Sequence, residues 1–182
     1  LRQRGEGKGN ERRNAEEVVS IFSTKKVAIT DDALQMLHRN VSVRRSAIHN
    51  WGLFTTRAIG KDSMVIEYRG EAIRSIIADQ KERQYGEGAL KGQGGDCYMF
   101  RVDEDLVLDA TMKGNVARFI NHCCTPNCYS KVVEVDGKKH IIIFAARDLE
   151  MNEEVQYDYK FAVEREKIVC HCGSPKCLGV MN

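Results

Sequence analysis

The stretch Val169–Leu178, VCHCGSPKCL, carries three cysteines, Cys170, Cys172 and Cys177, in a C-x-C-x4-C arrangement. A closed structural zinc site takes four ligands. The fourth has to come from elsewhere, and whatever supplies it pins the C-terminal segment to the body of the fold. Upstream, Arg118–Cys128, RFINHCCTPNC, offers Cys123, Cys124 and Cys128. The bland alternative is that such cysteines are small buried apolar residues. The C-terminal trio reads as ligands, because cysteines one residue apart beside Gly173 and Pro175 make poor core. For the upstream group, spacing leaves all three open.

Composition sets the frame. The chain has 182 residues, 42% hydrophobic and 30% charged, with 28 Lys and Arg against 26 Asp and Glu. That length suits one domain with an appendage. A net charge of +2 gives no footprint for nucleic acid, and no direct sequence-specific nucleic-acid binding is expected. No apolar run reaches the ~20 residues of a membrane span, and the start, LRQRGEGKGN, lacks the apolar stretch of a secretory signal. A cytosolic or nuclear home follows, where reduced thiols are free for metal. The seven cysteines, an odd count, also argue against a complete disulfide framework. The leading Leu1 suggests a fragment of a longer protein.

The texture changes along the chain. Residues 1 to about 13 form a polar, basic lead-in, followed by expected helices over 14–23 and 30–38. From Val41 onward, VSVRR, GLFTTRAI, SMVIEYRG, CYMFRV and LVLDA are short β-branched and aromatic runs between Gly, Lys and Asp, the pattern of many short strands. Glu71–Gln84 places Ile73, Ile76 and Ile77 on one side, so an amphipathic helix is expected there. The glycine-rich segment Tyr85–Gly95 reads as irregular. YSKVVEV and KKHIIIFAA flank Asp136-Gly137, a strong hairpin signal. The expected class is mainly β with inserted helices.

These residues carry a family resemblance. RFINHCCTPNC resembles the first signature of SET-domain protein lysine methyltransferases, and Glu153–Tyr159, EEVQYDY, resembles their second. IHNWGLF (Ile48–Phe54) and VIEYRGE (Val65–Glu71) match the start of that domain, and CHCGSPKCLGVMN looks like its post-SET zinc segment. CYMFRV, LDATMKGNVARFINH and HIIIFAARDL look most like the trithorax and mixed-lineage-leukaemia (COMPASS) branch, which methylates the fourth residue, a lysine, of the histone H3 tail.

The resemblance implies small β-sheets around a C-terminal pseudoknot, plus the post-SET zinc segment. The implied division is a basic and helical lead-in over 1–40, a catalytic domain over 41–160 with a variable insert at about 71–95, and a zinc-binding segment over 161–182. The fourth zinc ligand becomes Cys124, joining Cys170, Cys172 and Cys177, with Cys123 a bystander and Cys97 and Cys128 packed thiols. Because four thiolates leave no open position, the ion builds the site and does no chemistry. The implied reaction moves a methyl group from S-adenosylmethionine to a lysine amine. Tyr159 matches the catalytic tyrosine. Tyr157 matches the position that affects how many methyls fit, and Tyr98 touches both cofactor and channel. Tyr68, Phe100 and Tyr157 line the substrate channel. His49, Trp51, Tyr98, Asn121, His122 and His171 match cofactor contacts, and Asn50 stands where a glycine is common.

The implied partners are the H3 tail and COMPASS-type core subunits including a WD-repeat scaffold, and the implied location is the nucleus. Two alternatives compete. One is a zinc-stapled chromatin-binding module without activity, which loss of Tyr159, Asn121 or His122 would have signalled. The other is a methyltransferase for another lysine or a non-histone protein.

Overall fold

The computed structural model describes residues 37–87, 97–135, 137–163 and 165–182. The helix expected over 14–23, all but the last residues of that over 30–38, and most of the glycine-rich segment lie outside these. A 3-10 turn, Leu37–Asn40, leads into the strands β1 (Val41–Arg45), β2 (Trp51–Thr55), β3 (Met64–Tyr68) and β4 (Gly70–Arg74). Helix α1 (Ser75–Glu87) follows, then β5 (Met99–Arg101), β6 (Leu106–Gly114), a 3-10 turn at Val116–Phe119, and β7 (Asn121–His122). The chain then forms β8 (Cys128–Val135), β9 (Lys138–Ala145) and β10 (Gln156–Tyr157). Among the described residues no helix is long and apolar enough to cross a membrane.

The Asp136-Gly137 signal corresponds to a hairpin: β8 and β9 pair antiparallel from Cys128↔Ala145 to Val135↔Lys138, with Gly137 at φ 73°. β9 lies between β3 and β8, so both its edges are paired, and a packed cluster covers each of its faces. That explains the unalternating run from Ile141 to Ala145, buried at every position. Ile141 and Ile143 enter the main core with Leu53, Val65, Ile120 and Val155, while Ile142 and Phe144 turn to a second cluster with Leu37. A second three-stranded sheet has the order β4-β6-β5, and β1 pairs with β2.

The fourth pairing is non-local. β10 runs parallel to β7, with Gln156 opposite Asn121 and Tyr157 opposite His122. A parallel pair cannot be closed by a tight turn. Here the whole β8–β9 hairpin intervenes, and the ladder brings the second sequence signature against the first.

One expectation is corrected. The helix expected over Glu71–Gln84 begins only at Ser75, because Glu71 to Arg74 pair with Asp109 to Leu106 on β6. It then continues through Glu87, past the residue where irregular structure was expected. Ile73 belongs to the strand, and Ile76 and Ile77 are exposed at 71% and 38%. Instead α1 docks through Ala78 and a polar contact: Lys81 Nζ lies 3.0 Å from Asp109 Oδ2, and the Tyr85 hydroxyl donates to the same oxygen at 3.1 Å. Asp109 is 2% exposed. Burial opposes its ionisation, but the Thr111 N–H, the Lys81 ammonium and the Thr111 and Tyr85 hydroxyls outweigh that and hold its carboxyl below the ordinary range.

Candidate active site

Side-chain amides and carboxylates hold the two signatures together. The Asn127 carbonyl oxygen accepts the Gln156 N–H at 2.8 Å, and its Nδ2 donates to Glu154 O and to Glu153 Oε1, both at 2.8 Å. This amide satisfies backbone groups that a strand as short as β10 leaves without ladder partners. Glu154 Oε1 accepts the Ser46 hydroxyl and Asn121 Nδ2, each at 2.8 Å. Asn121 Nδ2 also lies 3.0 Å from the Trp51 carbonyl. The buried Asn121 side chain therefore braces the β1–β2 hairpin from inside. Gly52 sits over this knot, where a Cβ would lie 2.9 Å from Glu154 Cδ and 3.0 Å from Ser46 Cβ. In the hairpin loop Asn50 has φ 28°, in the left-handed region that glycine adopts freely and asparagine tolerates.

Five rings follow one another across the site. Tyr68 lies 5.2 Å from Phe100, Phe100 5.8 Å from Tyr157, Tyr157 5.0 Å from Tyr159, and Tyr159 5.1 Å from Phe161. They are carried by β3, β5, β10 and the segment that follows β10, and all but the half-exposed Phe161 pack in or against the main core. Burial, with smaller contributions from Tyr159 and Tyr68, raises the Tyr157 phenol far above its ordinary value. Burial chiefly also raises that of Tyr68. Both are neutral at physiological pH. The Tyr159 hydroxyl donates its proton to Ile120 O at 2.8 Å, so toward any other group its oxygen acts only as an acceptor. Tyr98 stands beside this row, its ring 6.0 Å from Phe119 and 5.5 Å from the Arg118 guanidinium carbon. Arg118 Nη1 in turn donates to the carbonyls of Ala110 and Thr111 at 3.1 and 3.3 Å, fixing it against β6.

His122 is buried at the end of β7. Its Nδ1 accepts the Tyr159 backbone N–H at 3.2 Å. Burial lowers its pKa and the nearby Asp158 partly restores it, so the ring is neutral near pH 7. Its remaining nitrogen, Nε2, lies 3.5 Å from Cys124 Sγ.

The sulfurs of Cys124, Cys170, Cys172 and Cys177 lie within 4.8 Å of one another, the one such group among the described residues. Cys124 Sγ is 3.7 Å from Cys170 Sγ and 3.9 Å from Cys177 Sγ. Four sulfurs at about 2.3 Å from a tetrahedral zinc ion stand about 3.8 Å apart, whereas a disulfide closes to about 2.05 Å. The donor set fits a metal ion and not a disulfide. Backbone N–H groups point at the sulfurs, Leu178 at Cys124 (3.4 Å) and Gly179 at Cys177 (3.3 Å), as thiolates require. Burial pushes the Cys170 thiol up to about 12. Cys172 is held at about 6: burial works against its thiolate, but hydrogen bonds from the Cys124 and Ser174 backbones and from the thiols of Cys170 and Cys177 favour it. Cys123 and Cys128 are buried outside this group, and burial pushes Cys97 and Cys128 up to about 11 and about 12.

Tyr68, Phe100, Tyr157, Tyr159 and His122 are thus brought together with the cysteine cluster. His49 and His171 are exposed, on the β1–β2 loop and between two cysteines. Trp51 is 42% exposed, and the Arg45 guanidinium carbon is 4.3 Å from its ring centroid. Sequence reasoning missed Ser46, Glu154, Asn127, Arg118 and Phe161. Phe161 continues the Tyr157–Tyr159 alternation, a signal that was present; the polar partners gave no local one. An open recess lined by Asp103, Leu106, Gly137 and Lys139 shares no residue with this site.

Comparison with known proteins matches the SET-domain family model to residues 50–160. Among curated proteins, the chain is 45% identical over 178 residues to "Histone-lysine N-methyltransferase, H3 lysine-4 specific" of Candida albicans, covering 96% of this chain and 17% of that protein. It is 51% identical over 154 residues to the protein of the same name from Debaryomyces hansenii, covering 83% and 14%. It is 56% identical over 142 residues to "Histone-lysine N-methyltransferase trithorax" of Drosophila melanogaster, covering 78% and 4%. The chain therefore spans only a small part of the length of these relatives.

Proposed function

This chain belongs to the SET-domain family, and from that premise we propose that it is a protein-lysine N-methyltransferase acting on the lysine at the fourth position of the histone H3 tail. The observation that carries the reading is the row of rings from Tyr68 to Tyr159, joined to the cysteine cluster through His122. The names of the relatives support the choice of histone and lysine. S-adenosylmethionine, when bound, supplies a methyl group on a positively charged sulfur. The chain supplies the passage and the alignment. Tyr159 presents an oxygen whose proton is committed to Ile120, a fixed acceptor that suits both a polarised methyl group and an amine N–H. The Tyr68, Phe100 and Tyr157 rings exclude water around the lysine.

The lysine must be neutral to attack. Its ordinary pKa is about 10.4, and desolvation among rings lowers it. Tyr68 and Tyr157 stay protonated, so neither places a negative charge in the passage to hold the ammonium. Bulk water can take the proton, and no dedicated base is needed. Tyr157 stacks against Phe100 and adjoins Tyr159, where its hydroxyl restricts rotation of a partly methylated amine. We assign His49, Trp51, Tyr98, Asn121, His122 and His171 to cofactor binding, with Asn121 acting through the Trp51 backbone it braces. Cys124, Cys170, Cys172 and Cys177 would hold a structural zinc ion, which would clamp residues 161–182 to the 41–160 catalytic body.

The exposed Ile76 and Ile77 on α1, in the 71–95 insert, fit a surface that partner subunits cover, so a COMPASS-type complex with a WD-repeat scaffold is the expected setting, at chromatin in the nucleus. Mass spectrometry of H3 peptides incubated with the chain and S-adenosylmethionine tests the reading. The expected product is methylated at the fourth residue, and its yield rises when the core subunits are added. Methylation of another lysine revises the specificity. No methylation with or without the subunits favours the inactive binding module.

A further inference from the structure

We propose that His122 is a positioning residue that ties the cysteine cluster to Tyr159, donating from Nε2 to the Cys124 sulfur while Nδ1 receives the Tyr159 backbone N–H. The inference rests on the metal-binding and catalytic readings above. Its own basis is proton bookkeeping. A backbone N–H can only donate, so Nδ1, 3.2 Å from the Tyr159 nitrogen, carries the lone pair. With Nδ1 occupied as acceptor, Nε2 is the ring nitrogen left to donate, and it lies 3.5 Å from Cys124 Sγ. The sulfur already accepts the Leu178 N–H at 3.4 Å from the tail, so body and tail each supply it one donor.

The ring is held on both sides. Its position in the parallel ladder faces Tyr157, the Tyr159 ring centroid lies 5.3 Å away edge-on, and Cys123 N–H donates to Tyr157 O at 3.1 Å. A displacement of Cys124 therefore reaches the backbone of Tyr159 through one rigid imidazole. The Tyr159 hydroxyl is anchored separately, to Ile120 O, so ring and backbone are fixed at two points. Assembly of the cysteine cluster thereby sets the placement of the residue that faces the reacting atoms.

Two substitutions separate the halves of this link. In His122→Asn the amide oxygen reaches the place of Nδ1 and keeps the Tyr159 N–H, but nothing reaches the sulfur. In His122→Gln the amide nitrogen reaches the place of Nε2 and keeps the sulfur donor, but the Tyr159 N–H loses its acceptor. Cobalt(II) loaded in place of zinc reports on the sulfur through its thiolate-to-metal charge-transfer band. An N–H···S bond withdraws charge from sulfur, so losing it moves that band to longer wavelength.

The expected result is a red-shifted band and about tenfold faster metal loss to a chelator in His122→Asn, with His122→Gln close to the native chain in both. Both variants lower kcat with H3 peptide while leaving its KM in place. Native-like band and metal loss in His122→Asn overturn the proposal. Equal loss in His122→Gln also overturns it, because ring shape and not the donor is then what matters. If neither the native chain nor the variants methylate peptide, the functional reading fails while the cobalt spectra still decide this one.

Discussion

Tyr159 is fixed from three directions: its hydroxyl by Ile120, its N–H by His122, and its ring by Tyr157 and Phe161. Tyr159→Phe removes the acceptor oxygen and little else. Methyl transfer should fall by about 10²-fold or more, the range for deleting one preorganised dipole. Urea unfolding should change by only about 0.5–1.5 kcal/mol, the net worth of one hydrogen bond. Tyr157→Phe should leave transfer intact and move the product toward higher methylation, read by mass spectrometry of the same peptide. Gly52→Ala tests the polar knot. A methyl group there displaces the Glu154 carboxylate from Ser46 and Asn121, and stability should drop by about 1–3 kcal/mol in urea titration. The tyrosines were legible in the sequence because YDY is a compact pattern. The bracing task of Asn121 was not, since its partners Ser46, Trp51 and Glu154 come from other segments.

At the level of elements, local chemistry wrote the hairpin and tertiary pairing overrode the helix. Asp136-Gly137 between β-branched runs is sufficient signal for β8 and β9. Glu71–Arg74 has an acceptable helical pattern, yet the ladder to β6 captures it and α1 starts one residue later. α1 is then held mainly by Asp109, whose ionisation matters. A carboxyl with a lowered native pKa adds stability above its unfolded value, near pH 4, and loses it as the pH falls toward the native value. Thermal melts should therefore show the native chain more stable than Asp109→Asn at pH 7, with the gap narrowing below about pH 4. A gap that stays constant across that window argues that the charge does not hold the helix.

Over the whole molecule, the cysteine cluster is what joins the tail to the body. Within the tail, the isolated Val169↔Val180 bridge closes the segment on itself, and the Thr125 and Ser174 hydroxyls meet at 2.6 Å across the junction. Native mass spectrometry should find one zinc ion per chain. Stripping it with a chelator, or substituting Cys177→Ser, should release residues 161–182 to proteolysis and abolish peptide methylation, while the β3–β9–β8 core still melts cooperatively. Tail resistance that survives chelation would show that hydrogen bonds alone hold it. By itself the sequence determined the ligand chemistry, the inventory of rings and the hairpin, because thiol spacing, aromatic identity and turn residues act locally. The family resemblance had already singled out Cys124 as the trio's partner, and the fold brings it there; only the tertiary structure decided that His122 stands between Cys124 and Tyr159 and that Ile76 and Ile77 face outward. Each of these depends on register between segments far apart in the chain, fixed by the parallel β7–β10 pair and the β4–β6 ladder, and local periodicity carries no information about such register.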